Sequence, residues 1–450
     1  MVPRNGKSPY DRVMNQSRRN FSIPILAWTV RAVVLGLLVG PVISLLTFLV
    51  AQAGSIRTTH PWLHFLMPLG ALLTALLYQK LGPYLRDGGS QVIDLINQGI
   101  LDIAHPTSIG YEMDRDAHKQ KISTKMAPLL LFNTFITHLV GASGGKEGVG
   151  VQIGASIGSY CSRLEMRMLG QRQSIQQKGI WLISGAGAAF GALFNAPIAG
   201  TLFGMQFSNP RVNRTDALLP CLTASFTACM ASQALHTHTL VPVTAEAFAL
   251  DLPTLLILLA YSILLGFASR LFCHLIHLTK SLFSRLTSNP YKKALIAGSL
   301  LLLASIVIYL VTGTFAYNGL SLNLIIEAEY GNTSKFAPLF KLLLTALTIG
   351  SGFVGGEVIP ILVIGATTGA LFGTLLPIPV SALSMFGAIG MLSGSTKLPL
   401  ACFVLGLELY GFGNPTSLFF VCSIAYLFSG RLSIYERQIV PQIIDPDWDV

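Results

Sequence analysis

Charge is what this chain has least of: Asp, Glu, Lys and Arg make up 11% of 450 residues, against 52% hydrophobic residues. A soluble domain of this length cannot be covered with so little charge, so a water-soluble protein is excluded. Cysteine is also sparse. The six (Cys161, Cys221, Cys229, Cys273, Cys402 and Cys422) are scattered, with no CxxC and no Cys/His ligand spacing, which excludes a disulfide framework and a zinc site and leaves small apolar packing residues. The nine histidines form no metal cluster: His138 stands alone in an apolar segment and reads as a structural residue, and His236 and His238 fall in a loop. No nucleophile–base arrangement is visible, so a membrane enzyme is not expected, nor any cofactor or metal.

What is there instead is a series of apolar runs, several longer than the roughly 18 residues that mark a spanning helix. Candidate spans are 23–53, 126–140, 180–207, 252–272, 294–310, 340–354, 359–376, 386–409 and 417–428. Gly and Pro interrupt many of them, which predicts short or broken helices buried in protein. The fold class is an all-α polytopic membrane protein. The net charge of +10 would suggest nucleic acid as a partner of a soluble protein, but here the bases sit in a tail and loops, and no nucleic-acid partner is expected. Arg4, Lys7, Arg12, Arg18 and Arg19 precede the first span with only Asp11 against them, which places the N-terminus in the cytoplasm. The first run is too long for a secretory signal and lacks its cleavage site. The expected organisation is a basic tail at 1–22 and one membrane domain at 23–440. Its halves cover about 23–235 and 250–440, and the stretch 441–450 is too short for a soluble regulatory domain.

With acids so rare, two of them stand out, each behind a pair of glycines. One stretch reads Gly144-Gly145-Lys146-Glu147-Gly148, the other Gly355-Gly356-Glu357-Val358-Ile359-Pro360. A single shift carries Gly144, Gly145, Gly154 and Gly158 onto Gly355, Gly356, Gly365 and Gly369. A second echo sets Ala196-Pro197-Ile198-Ala199 against Leu398-Pro399-Leu400-Ala401, with Gln206 matching Glu408. Two motifs recurring in order argue for two related halves, which in membrane transporters meet at a midplane site built from helix ends.

An ionised carboxylate in a spanning segment costs about 2.5–3.5 kcal/mol on insertion scales, so it is seldom there without a task. Glycines before it let the backbone bend and expose N–H groups, and the following helix points its positive end at the same spot. Such a construction is an anion site inside a membrane, and it points to anion transport. Plainer readings exist for each residue: a Lys146–Glu147 ion pair, a helix cap for Glu357, and an N-cap turn for Asp87-Gly88-Gly89-Ser90 opening a helix over 91–100. Gly141 to Lys146 does not fit a phosphate-binding loop, because its glycine spacing is one residue short and Glu147 stands where Ser or Thr is required.

The motifs together resemble the CLC chloride channels and proton-coupled anion exchangers. Gly145-Lys146-Glu147-Gly148 is similar to the family's GREGP or GKEGP motif. Gly89-Ser90-Gln91-Val92 lies where it has GSGIP, and Gly356-Glu357-Val358-Ile359-Pro360 where it has GxFxP. Tyr435 falls at its C-terminal pore tyrosine, and the likeness covers about residues 25–440. It implies an inverted repeat of two helical halves, a gating and proton-coupling role for Glu147, and anion coordination by Ser90, Tyr435 and the backbone of Gly148, Val358 and Ile359. Gly89, Gly145, Gly355 and Gly356 are the motif glycines. The implied partners are a halide (fluoride or chloride), protons, the lipid bilayer and a second copy of the chain, in a bacterial inner membrane. Where chloride exchangers carry a relay acid after Phe194-Asn195-Ala196-Pro197-Ile198-Ala199-Gly200, this chain has Gln206 and Phe207; that loss, with the second pore acid Glu357, resembles the fluoride-exporting branch. Ser90, Ile359 and Val149 depart from that branch's usual residues. The expected activity is proton-coupled anion antiport, the alternatives being a passive channel of the voltage-gated type or a carrier of another small anion.

Overall fold

The structure, a computed structural model, describes residues 9–82, 85, 88–104, 122–170, 173–210, 214–235 and 244–440. Arg4, Lys7, Arg86, Asp87, His236, His238 and the 441–450 stretch lie outside them. The described residues form sixteen α-helices and no β-strand. The first half of the chain supplies α1 (Pro9–Thr59), α2 (Met67–Leu81), α3 (Gly88–Ala104), α4 (Met126–Leu139), α5 (Glu147–Leu169), α6 (Ile175–Phe194), α7 (Pro197–Gln206) and α8 (Leu218–Ala234). The second supplies α9 (Leu252–Leu286), α10 (Pro290–Thr312), α11 (Leu322–Glu329), α12 (Ala337–Ser351), α13 (Val358–Gly373), α14 (Val380–Thr396), α15 (Pro399–Tyr410) and α16 (Pro415–Phe428). The basic tail expected to end near residue 22 is not separate from the first span, since α1 begins at Pro9.

Among the described residues, five helical stretches are long and apolar enough to cross a bilayer: 25–59, 61–81, 215–234, 252–286 and 290–312. Two of these, 61–81 and 215–234, are missing from the spans read off the sequence. Prolines and a histidine interrupt the first, and Thr, Ser and Cys dilute the second, so neither stands out as a hydrophobic run. Conversely, the runs 180–207 and 386–409 are each two helices. The break has one cause in both: Asn195 (φ 55°) and Lys397 (φ 64°) end α6 and α14 in the left-handed conformation, and a proline two residues on starts the next helix. The sequence echo at 196–199 and 398–401 is this shared break.

Pairs of helices in each half approach through glycine. Gly154 of α5 meets Gly185 of α6 backbone to backbone, and Gly365 of α13 meets Gly387 of α14 in the same way; a Cβ at any of the four would fall on the opposite main chain. Small residues at helix crossings are how apolar helices gain packing where lipid removes the hydrophobic drive to associate. The consequence is positional: α5 and α13, which begin with the two acid motifs, are held rigidly in the core.

Candidate functional site

The two acid motifs meet. Gly145 N–H donates to Gly356 O at 2.6 Å and Gly356 N–H donates to Gly145 O at 2.7 Å, an isolated antiparallel bridge between the halves. The segments run in opposite directions through it, which is the local signature of an inverted repeat. Glycine is required here: a Cβ on Gly356 would lie 2.6 Å from Gly148 N, and one on Gly145 would lie 3.0 Å from Gly356 O. The first amides of a helix have no partner inside it. In α5 the first intrahelical donor is Gly150 N–H, to Lys146 O, and in α13 it is Ile361 N–H, to Glu357 O. Glu147, Gly148, Val149, Val358 and Ile359 therefore direct donors, and two positive helix ends, toward one region.

Glu147 opens α5 and is sealed, at 1% exposure. Its Oε2 accepts from its neighbour Lys146 N–H at 3.0 Å, and its Oε1 is buried with no hydrogen-bond partner. The Lys146 ammonium reaches across to α1, donating to Thr47 Oγ1 at 3.0 Å, so it serves a contact beyond the adjacent acid. Glu357 immediately precedes α13 but makes no side-chain capping bond, which removes the plain cap reading. Its partly buried side chain lines a cavity of about 290 Å³ together with Ser90, Gly89, Gly148, Gly355, Tyr435 and Gln152. Of the expected site residues, Gly89, Ser90, Gly148, Gly355, Glu357 and Tyr435 share this wall, whereas Glu147, Gly145, Gly356, Val358 and Ile359 are not on it, Val358 and Ile359 being 2% and 1% exposed. Ser90 sits in the first turn of α3, not at an N-cap.

Tyr435 reaches the cavity from a non-helical segment, its ring set edge-on to Phe203 (6.2 Å) and Phe207 (6.4 Å). That segment is tied on both sides. Lys280 Nζ pairs with Glu436 at 2.8 Å, Arg437 pairs with Asp94 of α3, and Gln438 Nε2 donates to Phe207 O and Thr396 O at 3.0 Å. Burial alone would push the Glu436 carboxyl up, but the hydrogen-bonded Lys280 ammonium holds it below its ordinary range.

The cavity has a direction. Arg31, near the start of the apolar stretch 25–59 of α1, pairs with Glu165 near the end of α5, and Arg57, near the end of α1, donates to His138 O at 2.6 Å. The cavity is walled by Tyr78 at the end of α2, Ser90 at the start of α3, Lys280 late in α9 and Lys293 early in α10. Since α2 runs back from where α1 ends, the cavity opens on the face where α1 begins.

Two buried lysines with no signal in the sequence are each held by neutral oxygens. Lys341 Nζ donates to Gly319 O at 2.7 Å, Ser321 Oγ at 2.9 Å and Tyr317 O at 3.3 Å, and Lys397 Nζ to Ser429 Oγ at 2.5 Å and Ser429 O at 3.3 Å. Both are fully buried, and their hydrogen bonds go to neutral oxygens. His138 is buried with Nε2 unpartnered, so it is only partly satisfied by its surroundings. The six cysteines are all free and buried, as packing residues should be.

Comparison with known proteins agrees with this geometry. The sequence model of the family described as "Voltage gated chloride channel" matches residues 106–430. A "Chloride/fluoride channel protein" of Pseudomonas syringae pv. tomato is 29% identical over 428 residues, covering 93% of this chain and 88% of the relative. An "H(+)/Cl(-) exchange transporter ClcA" of Citrobacter koseri is 29% identical over 280 residues, 59% of this chain and 57% of the relative. A solved structure described as a CLC-type fluoride/proton antiporter superimposes with a TM-score of 0.82 at 26% identity, over 97% of this chain and 100% of that one. A slow cyanobacterial Cl-/H+ antiporter shares the fold, with a TM-score of 0.65 at 20% identity over 91% and 96% of the two chains.

Proposed function

The chain belongs to the voltage gated chloride channel family, and from that premise we propose that it exchanges a halide, fluoride in preference to chloride, for protons across a bacterial inner membrane. The observation that carries the reading is the placing of two carboxylates at the facing starts of α5 and α13, Glu147 sealed in the core and Glu357 on the wall of an open cavity.

A carboxylate and a halide are both anions, and both suit a nest of backbone N–H groups. Ionised Glu147 occupies the nest and excludes the halide; a proton on Glu147 releases the nest. Proton binding then favours anion binding, and by linkage the anion favours the proton. Ser90 and Tyr435 supply neutral hydroxyl donors at the cavity end of the path, which hold an anion without trapping it as a full cation would. Protonated Glu357 donates a hydrogen bond to an anion in the cavity, and fluoride, the smallest and strongest acceptor among the halides, gains most from it. The basic N-terminus places the cavity mouth in the cytoplasm.

Purified protein in liposomes, with anion and pH followed together, tests this. Fluoride efflux should exceed chloride efflux and be accompanied by proton movement. Glu147→Gln should abolish coupled proton transport while leaving anion binding. Chloride moving as fast as fluoride would remove the selectivity, and a Glu147→Gln protein that still pumps protons at the native ratio would remove the gate.

A further inference from the structure

Glu357 is partly buried on the cavity wall, and a carboxyl there must receive its proton from the solution at the mouth. The position on α7 that ends the repeat is Gln206, which carries no proton. Only one other carboxylate shares the cavity wall among its described lining residues: Glu436, next in sequence to Tyr435. Its side chain is 46% exposed, so it reaches the outside water as well as the cavity. The charges that act on Glu357 are those of Lys280, Glu436 and His277, which places the two acids in one electrostatic group. A volume of about 290 Å³ has room for several waters between them, each taking about 30 Å³ in the liquid.

We propose that Glu436 is the acid through which protons pass between the solution at the cavity mouth and Glu357. The inference rests on the coupled-exchange reading given above. The step is a plain proton transfer: Glu436 carboxylate takes a proton from bulk water, and a cavity water hands it to Glu357 carboxylate, leaving Glu436 ionised for the next turn. The Lys280 pair suits a group that passes protons and does not store them, because an ionised acid at the mouth is always ready to accept. The groups facing Glu436 are Lys280 and His277 of α9 and Arg437 of its own segment, while Asp94 of α3 is engaged by Arg437. His277 Nε2–H donates to Ser433 O at 2.9 Å, so α9 also holds the segment in place.

A merely structural role for Glu436 as half of the Lys280 strap is separable by experiment. In liposomes, Glu436→Gln should slow proton uptake about tenfold and lower the proton-to-anion ratio; open water provides a bypass, so the loss stays below the hundredfold or more typical of an essential acid. Glu436→Asp should restore the ratio. Lys280→Met breaks the same ion pair but keeps the carboxylate, and should keep the ratio. The proposal is overturned if Glu436→Gln couples like the native protein, or if Lys280→Met uncouples as strongly as Glu436→Gln. Native protein that moves anion with no proton would overturn the coupled-exchange reading itself, and this one with it.

Discussion

A Cβ on Gly356 would stand 2.6 Å from the nitrogen of Gly148 and 3.1 Å from that of Glu147, both main-chain atoms that cannot swing aside. Gly356→Ala should therefore force the two helix starts apart, costing about 1–3 kcal/mol in stability as an overpacked core does. The check is thermal unfolding in detergent beside anion flux: both should fall, and an alanine variant as stable and as active as the native protein would show that the starts are not in contact. Single residues were unevenly legible. Glu147 and Glu357 were readable because an acid in an apolar run has few uses. Lys341 and Lys397 are equally buried, yet their acceptors are oxygens at 317–321 and 429, brought close only by folding. Glu436 carries no sequence signal, since nothing in sequence places it on the same wall as Glu357.

At the level of elements, the clearest case is α7. Its first amides, Ile198 and Ala199, donate to the two carboxylate oxygens of Glu408 on α15 at 3.0 and 2.8 Å. One repeat thus caps the corresponding helix of the other. Glu408→Ala should cost about 0.5–2 kcal/mol, as the loss of a capping acceptor does, and Glu408→Gln less. Unfolding midpoints of the two variants measure this; equal stability of Glu408→Ala and the native protein would mean that water replaces the cap. The sequence match of Gln206 with Glu408 marked the position but not its partner. Helix ends were the hardest feature to read. Apolar residues resume directly after Asn195 and Lys397, and the left-handed backbone at those residues, with the proline two residues on, divides the runs. The glycine repeat was readable because close helix crossings demand it wherever they occur.

For the molecule as a whole, helices α7 and α15, of 10 and 12 residues, are only about 15–18 Å long, roughly half of a hydrocarbon core. Polar helix ends at that depth cannot face lipid. Ile198, Phe226, Leu400 and Phe419 on α7, α8, α15 and α16 are nevertheless exposed on the single chain. We propose that a second copy covers this face, which would answer both facts. Light scattering in mild detergent should give twice the chain mass of 48.3 kDa, and a monomer there and in bilayers would count against the pairing. The broad architecture was legible, because composition forces a membrane domain and the repeat forces two halves. That the two acid motifs meet was legible only as an expectation, since the bridge between Gly145 and Gly356 joins residues far apart in the chain. That bridge has an evolutionary corollary. Donors that belong to the main chain survive every exchange of side chain, so lineages can drift at Ser90, Val149 or Ile359 and alter which ion is preferred without erasing the capacity to hold one. The glycines have no such latitude, and they are where natural variation should be fatal.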